Sequence, residues 1–190
     1  MPSGYTPSLP ADVLLNTGVL YKGNAANDGQ TPFGVSRGGL TFNPNKEVRN
    51  IEYDGKRAKV AGLDRVIDVN PVIEGTFIQL GTSQIPIYES GVATSAGSAP
   101  VTTKHVPQDA DLLYGTSDYI DNLRLVYARQ SGGFVQVRFY QALVTQYSWA
   151  GTDKSEAEIR ATFEARLTAA MAASNSDQLP YIIEELSALS

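Results

Sequence analysis

Hydrophobic and polar positions in this chain alternate in short runs, the periodicity of strands. Residues 12–22 (DVLLNTGVLYK) are rich in β-formers, with a kink expected at Asn16–Gly18. Residues 23–31 read as a turn, and a strand broken by Gly38-Gly39 follows from Phe33 to Phe42. Between Val48 and Asp54, Arg49, Ile51 and Tyr53 alternate with Val48, Asn50 and Glu52. Asp54-Gly55 then signals a hairpin turn, with a return strand over Lys56–Leu63. Val66–Leu80 reads as one long strand with Ile73 and Phe77 on one face and Val72, Ile78 and Leu80 on the other, which predicts cover on both sides. Residues 91–104 are small, polar and aperiodic, and read as a loop. Ile120–Arg129 and Phe134–Tyr147 form a predicted hairpin joined by Ser131-Gly132-Gly133; in its second strand Val135, Val137 and Phe139 alternate with Gln136, Arg138 and Tyr140.

Residues 153–173 fit two periods. Asp153 with Glu156, or Ser155 with Glu158, makes a helix-initiating capping box, and Ile159, Phe163, Leu167 and Met171 make a helical stripe. Ile159, Ala161, Phe163, Ala165 and Leu167 equally make a strand face. The Ala-rich run 169–173 favours helix, Thr162-Phe163 strand, and periodicity leaves both open. Leu179–Ile183 reads as a final edge strand, with a polar tail over 184–190. The expected fold is therefore mainly β. It is a single domain over 1–190 with two packed antiparallel sheets, as a sandwich or partly closed barrel. One short helix flanks it, a flexible arm spans 1–11, and a long hairpin spans 43–65.

That hairpin is the most informative segment. Between Thr31 and Leu80, strand-like ends flank a charged middle with no core of its own. Compact domains rarely carry such a length unsupported, and loops of this kind often order against a neighbour. This points to an assembly subunit and away from an enzyme. Lys46, Arg49, Lys56, Arg57, Lys59 and Arg65 give the hairpin a basic bias, interrupted by Glu47, Glu52, Asp54 and Asp64. Together with Tyr53, the basic residues and Asp54 are the candidate contacts between copies, complementary to an acidic remainder.

Composition narrows the chemistry. Among 190 residues, 42% are hydrophobic and 18% charged, as in a globular domain with a real core. The net charge of −5 weighs against tight phosphate binding but suits a surface past which DNA slides. The absence of cysteine removes disulfides, thiolate nucleophiles and sulfur-ligated metals, and fits an intracellular assembly site. No apolar run is long enough to span a bilayer, and the first residues lack a signal peptide's pattern, so neither a membrane nor the usual secretory route is expected. The single histidine, His105, reads as a surface loop residue, without the partners a general base needs. Asp109 with Asp111, and Asp64 with Asp68, offer too few converging oxygens for a metal and read as solvated turns. No phosphate-cradling glycine motif or GxSxG setting is present. No catalytic residue, cofactor or metal site is expected. Trp149 and Tyr147 are the residues a sugar- or peptide-binding module would use.

Two blocks resemble the major tail tube protein of long-tailed bacteriophages. The first, residues 38–77, carries Gly39, Phe42, Pro44, Glu47, Arg49 and Tyr53-Asp54-Gly55. The second, residues 118–165, carries Tyr119, Asn122, Arg124, Ala142-Leu143-Val144, Asp153-Lys154, Glu156, Glu158, Thr162-Phe163 and Ala165, with Pro180-Tyr181 beyond it. The pieces occur in order over about two-thirds of the chain; the Ala-rich stretch before Pro180 and the loop 91–104 depart from the family pattern. The resemblance implies six subunits per ring and rings stacked into a hollow tube. The tape-measure protein would fill the tube during assembly, and DNA would later pass through it without specific binding. Tail tip or initiator and terminator proteins would be further partners, with assembly in the host bacterial cytoplasm and a final place in the virion tail. Related virion parts (a tail terminator, a capsid decoration, a contractile-tail tube) share this kind of fold.

Overall fold

The computed structural model describes residues 14–23, 31–51, 58–59, 61–78, 85–89, 92–99, 101, 103–107, 113–152, 155–174 and 178–187. In chain order its elements are β1 (Leu14–Lys22), β2 (Thr31–Pro32), β3 (Ser36–Asn43), β4 (Lys46–Asn50), β5 (Asp64–Val69), β6 (Val72–Phe77) and α1 (Ile85–Tyr88). There follow β7 (Val92–Ala96), β8 (Thr103–Pro107), a 3-10 turn at Thr116–Asp118, β9 (Ile120–Arg129), β10 (Phe134–Thr152), β11 (Ser155–Arg166), α2 (Ala169–Ala173) and β12 (Tyr181–Leu186). The expectation of a mainly antiparallel β fold holds.

One sheet runs in the order β2-β1-β9-β10-β11-β6-β3, all antiparallel, with β12 also on β10. The long strand β10 makes two layers of it. Its first part, Phe134–Phe139, lies between β9 and β12, whereas from Gln141 onward its partner on the β12 side is β11. The sheet folds over along this strand and the two inner faces meet. Phe42 of β3 lies 6.1 Å from Phe139 and 5.3 Å from Tyr181, ring centre to ring centre. Phe33 sits between Phe163, Phe77 and Tyr88 at 5.1–5.6 Å. The Tyr127 hydroxyl of β9 donates to the Leu40 carbonyl of β3 at 2.8 Å, tying one layer to the other. Leu20, Leu123, Leu125, Val137, Ile73 and Ile159 complete a single core.

Glycines bend and thin the sheet where expected. Gly18, at a φ of +77°, forms the predicted kink in β1; a Cβ there would press on Leu125 and Tyr127 at 2.9 Å. Gly38 and Gly39, both at positive φ, make the break in β3. Gly75 lies on the inner face of β6 between Ile73 and Phe77, and its missing side chain leaves room for Leu40.

Several expectations are corrected. The capping-box helix is absent: β11 starts at Ser155, because Ile159, Ala161, Phe163 and Ala165 all face the core while β10 and β6 supply hydrogen-bonding partners on both edges. Of residues 155–173 only the Ala run is helical, and the Thr168 hydroxyl caps it by accepting from the Met171 amide at 3.2 Å. The long strand from Val66 is two strands, β5 and β6, divided at Asn70-Pro71, since proline has no N–H for the ladder. Its predicted two-sided cover is also absent: Ile73 and Phe77 are fully buried, but Glu74 is exposed. Burial on both faces occurs instead in β9 and β10, where Leu123 and Leu125 face the core and Arg124 and Gln136 are each only 4% exposed on the opposite face. The expected loop 91–104 contains β7 and ends within β8; Thr94 pairs with His105 and Ser95 with Lys104 across a turn closed by the Val101 amide on the Ser98 carbonyl. The expected tail from residue 184 is strand through Leu186, held by β10.

Candidate functional site

The long hairpin is a separate two-stranded ribbon, β4 with β5, hydrogen-bonded to nothing but itself among the described residues. It starts and ends at one point: the Asn70 amide donates to the Asn45 carbonyl at 3.4 Å, just where β3 leads in and β6 leads out. The Asn43 side chain accepts from the Asn45 amide at 3.0 Å, and Asn45 takes a positive φ of 41° to turn the chain outward. The expected return strand at Lys56–Leu63 begins later, at Asp64; the Ile51 amide bonds the Leu63 carbonyl at 2.9 Å.

Among the described residues, neither face of this ribbon is covered. Val48, Ile51, Val66 and Ile67 are each about half exposed, Val48 at 53%. Val48 lies directly across from Val66, and Arg49 across from Arg65. Two guanidiniums opposite one another repel, and like charges in that position destabilise a ribbon. Neither has an ion-pair partner among the described residues, and both line a shallow hollow with Ile51 and Ile67. Of the other sequence candidates, Lys46 and Lys59 are exposed, Lys46 on β4. Tyr53, Asp54, Lys56 and Arg57 lie outside the described residues, as do Asp109 and Asp111.

The metal and acid–base candidates find ordinary partners. Asp64 accepts from the Asn50 amide group at 2.8 Å, and Asp68 accepts from Asn70 at 2.6 Å and from the Val69 amide at 2.9 Å. His105 is on strand β8, not in a loop, half-buried, with Nδ1 3.1 Å from the Thr94 hydroxyl. No group of three or more metal-ligating side chains converges among the described residues.

A second exposed feature lies at the open end of the sandwich. The pairing of β10 with β11 slips between Val144 and Gln146, so inward positions pass from Ala142 and Val144 to Tyr147 and Trp149. Their partners Ala161 and Ile159 are buried, yet Tyr147 is 40% and Trp149 56% exposed, because the ribbon runs on past the core. The Tyr147 ring packs beside that of Tyr88, 6.3 Å away and tilted by 39°. Tyr88, Glu89, Tyr114 and Tyr147 line an open hollow of about 490 Å³, and Trp149, two positions beyond Tyr147 on the same strand face, lines a separate apolar one with Ile78. The Tyr88 hydroxyl is buried with no partner among the described residues, and burial pushes its ionisation well above the usual phenol range. Sequence reasoning singled out Trp149 and Tyr147 but missed Glu89 and Tyr114; the shift of apolar residues from even to odd numbers across Thr145 was the signal for the slip.

No protein-family model and no curated protein matches this sequence. Two solved structures resemble it in outline. A chain from the tail of an empty gene transfer agent particle, determined with C6 symmetry, is 12% identical, with 80% of this chain and 92% of that chain covered at a TM-score of 0.42. A chain from the virion of a native gene transfer agent particle is 11% identical over the same shares, at a TM-score of 0.40.

Proposed function

We propose that this protein is a self-assembling structural subunit: the major tube protein of a phage-type tail, six copies to a ring and rings stacked around the tape-measure protein. The observation that carries the reading is the β4–β5 arm. A free two-stranded ribbon is marginal in water, and this one displays four branched apolar side chains and an unrelieved arginine pair. A neighbouring copy that covers it supplies both the missing core and the missing counter-charge. Among the described residues, the outer edge of β12 is also unpaired, with Ile183 exposed, and ring closure would satisfy it. The family-like residues support the same fold logic, since Phe42 of the first block packs on Tyr181 beyond the second. The reading assigns no catalytic role to any residue, and DNA passes the acidic chain without being held.

Negative-stain electron microscopy across a concentration series tests it. Hollow filaments or stacked six-fold rings are expected. Monodisperse monomers at every concentration, unchanged when tail tip components are added, would sink the proposal. A second reading, a monomeric binding module for sugar or peptide, draws on exposed Trp149 and Tyr147; it predicts those monomers and saturable ligand binding.

A further inference from the structure

The arm needs a receptor, and the molecule carries a surface of matching chemistry. On the assembly reading above, we infer that the aromatic ledge at the open end of the sandwich, Tyr114, Tyr147 and Trp149 with Glu89, receives the Arg49–Arg65 face of the β4–β5 arm from a second copy. The arm face offers two guanidiniums flanked by Ile51 and Ile67. The ledge offers three half-exposed aromatic rings and a carboxylate. Guanidinium groups stack on aromatic faces and pair with carboxylates, and they do so best once water is excluded. Glu89 has no cation beside it among the described residues, so its charge is available to the incoming arm. Glu158, which lines the hollow with Trp149, is instead paired with Arg37 at 3.4 Å.

The charge balance points the same way. Residues 46–69 hold six basic and five acidic side chains within a chain of net charge −5, so the arm carries a slight positive excess on a negative molecule. An arm that repels itself across the Arg49–Arg65 rung is drawn to an acidic surface on another copy rather than to its own kind. The apolar side chains beside the arginines match the apolar hollow lined by Ile78 and Trp149.

Trp149 is the chain's single tryptophan, so its fluorescence reports on the ledge alone. In the full-length protein, assembly is expected to shift its emission to the blue and to cut acrylamide quenching severalfold. Arg49→Glu with Arg65→Glu is expected to raise the critical concentration for assembly about tenfold or more. Adding Glu89→Arg to that variant should recover most of the loss, with circular dichroism and melting unchanged throughout. Wild-type polymers in which Trp149 is quenched as readily as in monomers would overturn the inference and leave the assembly reading standing. So would charge reversal without effect, or a reversal that Glu89→Arg does not relieve. Failure of the wild-type chain to assemble under any condition would remove both.

Discussion

The folded-over sheet and the β4–β5 arm are built from the same alternating β sequence and reach opposite ends of the burial scale. In β9 and β10, Leu123, Leu125, Val137 and Phe139 are buried under the facing layer. In the arm, Val48 and Val66 lie on one face and Ile51 and Ile67 on the other, and all four stay half exposed. The difference lies in what stands opposite each face, not in strand propensity, which depends on packing partners. The sheet carries its partner within the chain; on the proposed assembly, the arm takes its partner from a second copy.

Removal of the arm is expected to have the largest effect. Because Asn45 and Asn70 already touch, replacing residues 46–69 with two glycines leaves the sheet intact. Monomer stability should change by less than about 0.5 kcal/mol in urea melts, while assembly is abolished in the microscope. A variant that still forms tubes would return the arm to the status of an ornament. Next in size is the core itself. Phe163→Ala, in the middle of the aromatic cluster, should cost about 3–5 kcal/mol and show as a large fall in the urea midpoint.

Tyr127→Phe removes only the hydrogen bond between the layers and should cost about 1 kcal/mol. Burial raises the ionisation of both Tyr127 and Tyr88, so the folded state keeps protons that the unfolded chain loses. Their contribution is complete below a pH of about 10 and declines as pH rises past it, which alkaline melts will record. The smallest effect is at Glu185. A hydrogen bond and the positive charge of Arg129 hold its carboxyl below the usual range, and the group is solvent-exposed. Its stabilisation is present above the ordinary glutamate range and fades as pH falls through the lowered value. Arg129→Gln should return the Glu185 titration to normal by NMR with little change in melting.

Local chemistry was legible. The Ser131-Gly132-Gly133 turn, the Gly18 kink and the Gly38-Gly39 break all rest on residues that fix their own backbone. Pairing was less so. Residues 159–167 satisfied both periods until β6 and β10 bracketed them, and only then did the strand win. Residues 91–104 lacked an apolar face because their hairpin stands apart from the core, so periodicity had nothing to register. The ledge was half visible: Trp149 and Tyr147 stood out as aromatics, but Glu89 and Tyr114 reach Tyr147 from segments about 60 and 30 residues away, a proximity that no local pattern encodes.

β10 also has a mechanical meaning. At about 3.3 Å per residue its 19 residues make a single covalent thread roughly 60 Å long, common to both layers. Tension along that thread loads the flanking ladders of β9, β11 and β12 in shear, so many rungs share the strain instead of opening one after another. A shell whose staves each contain such a thread resists stretching along the thread far better than peeling across it.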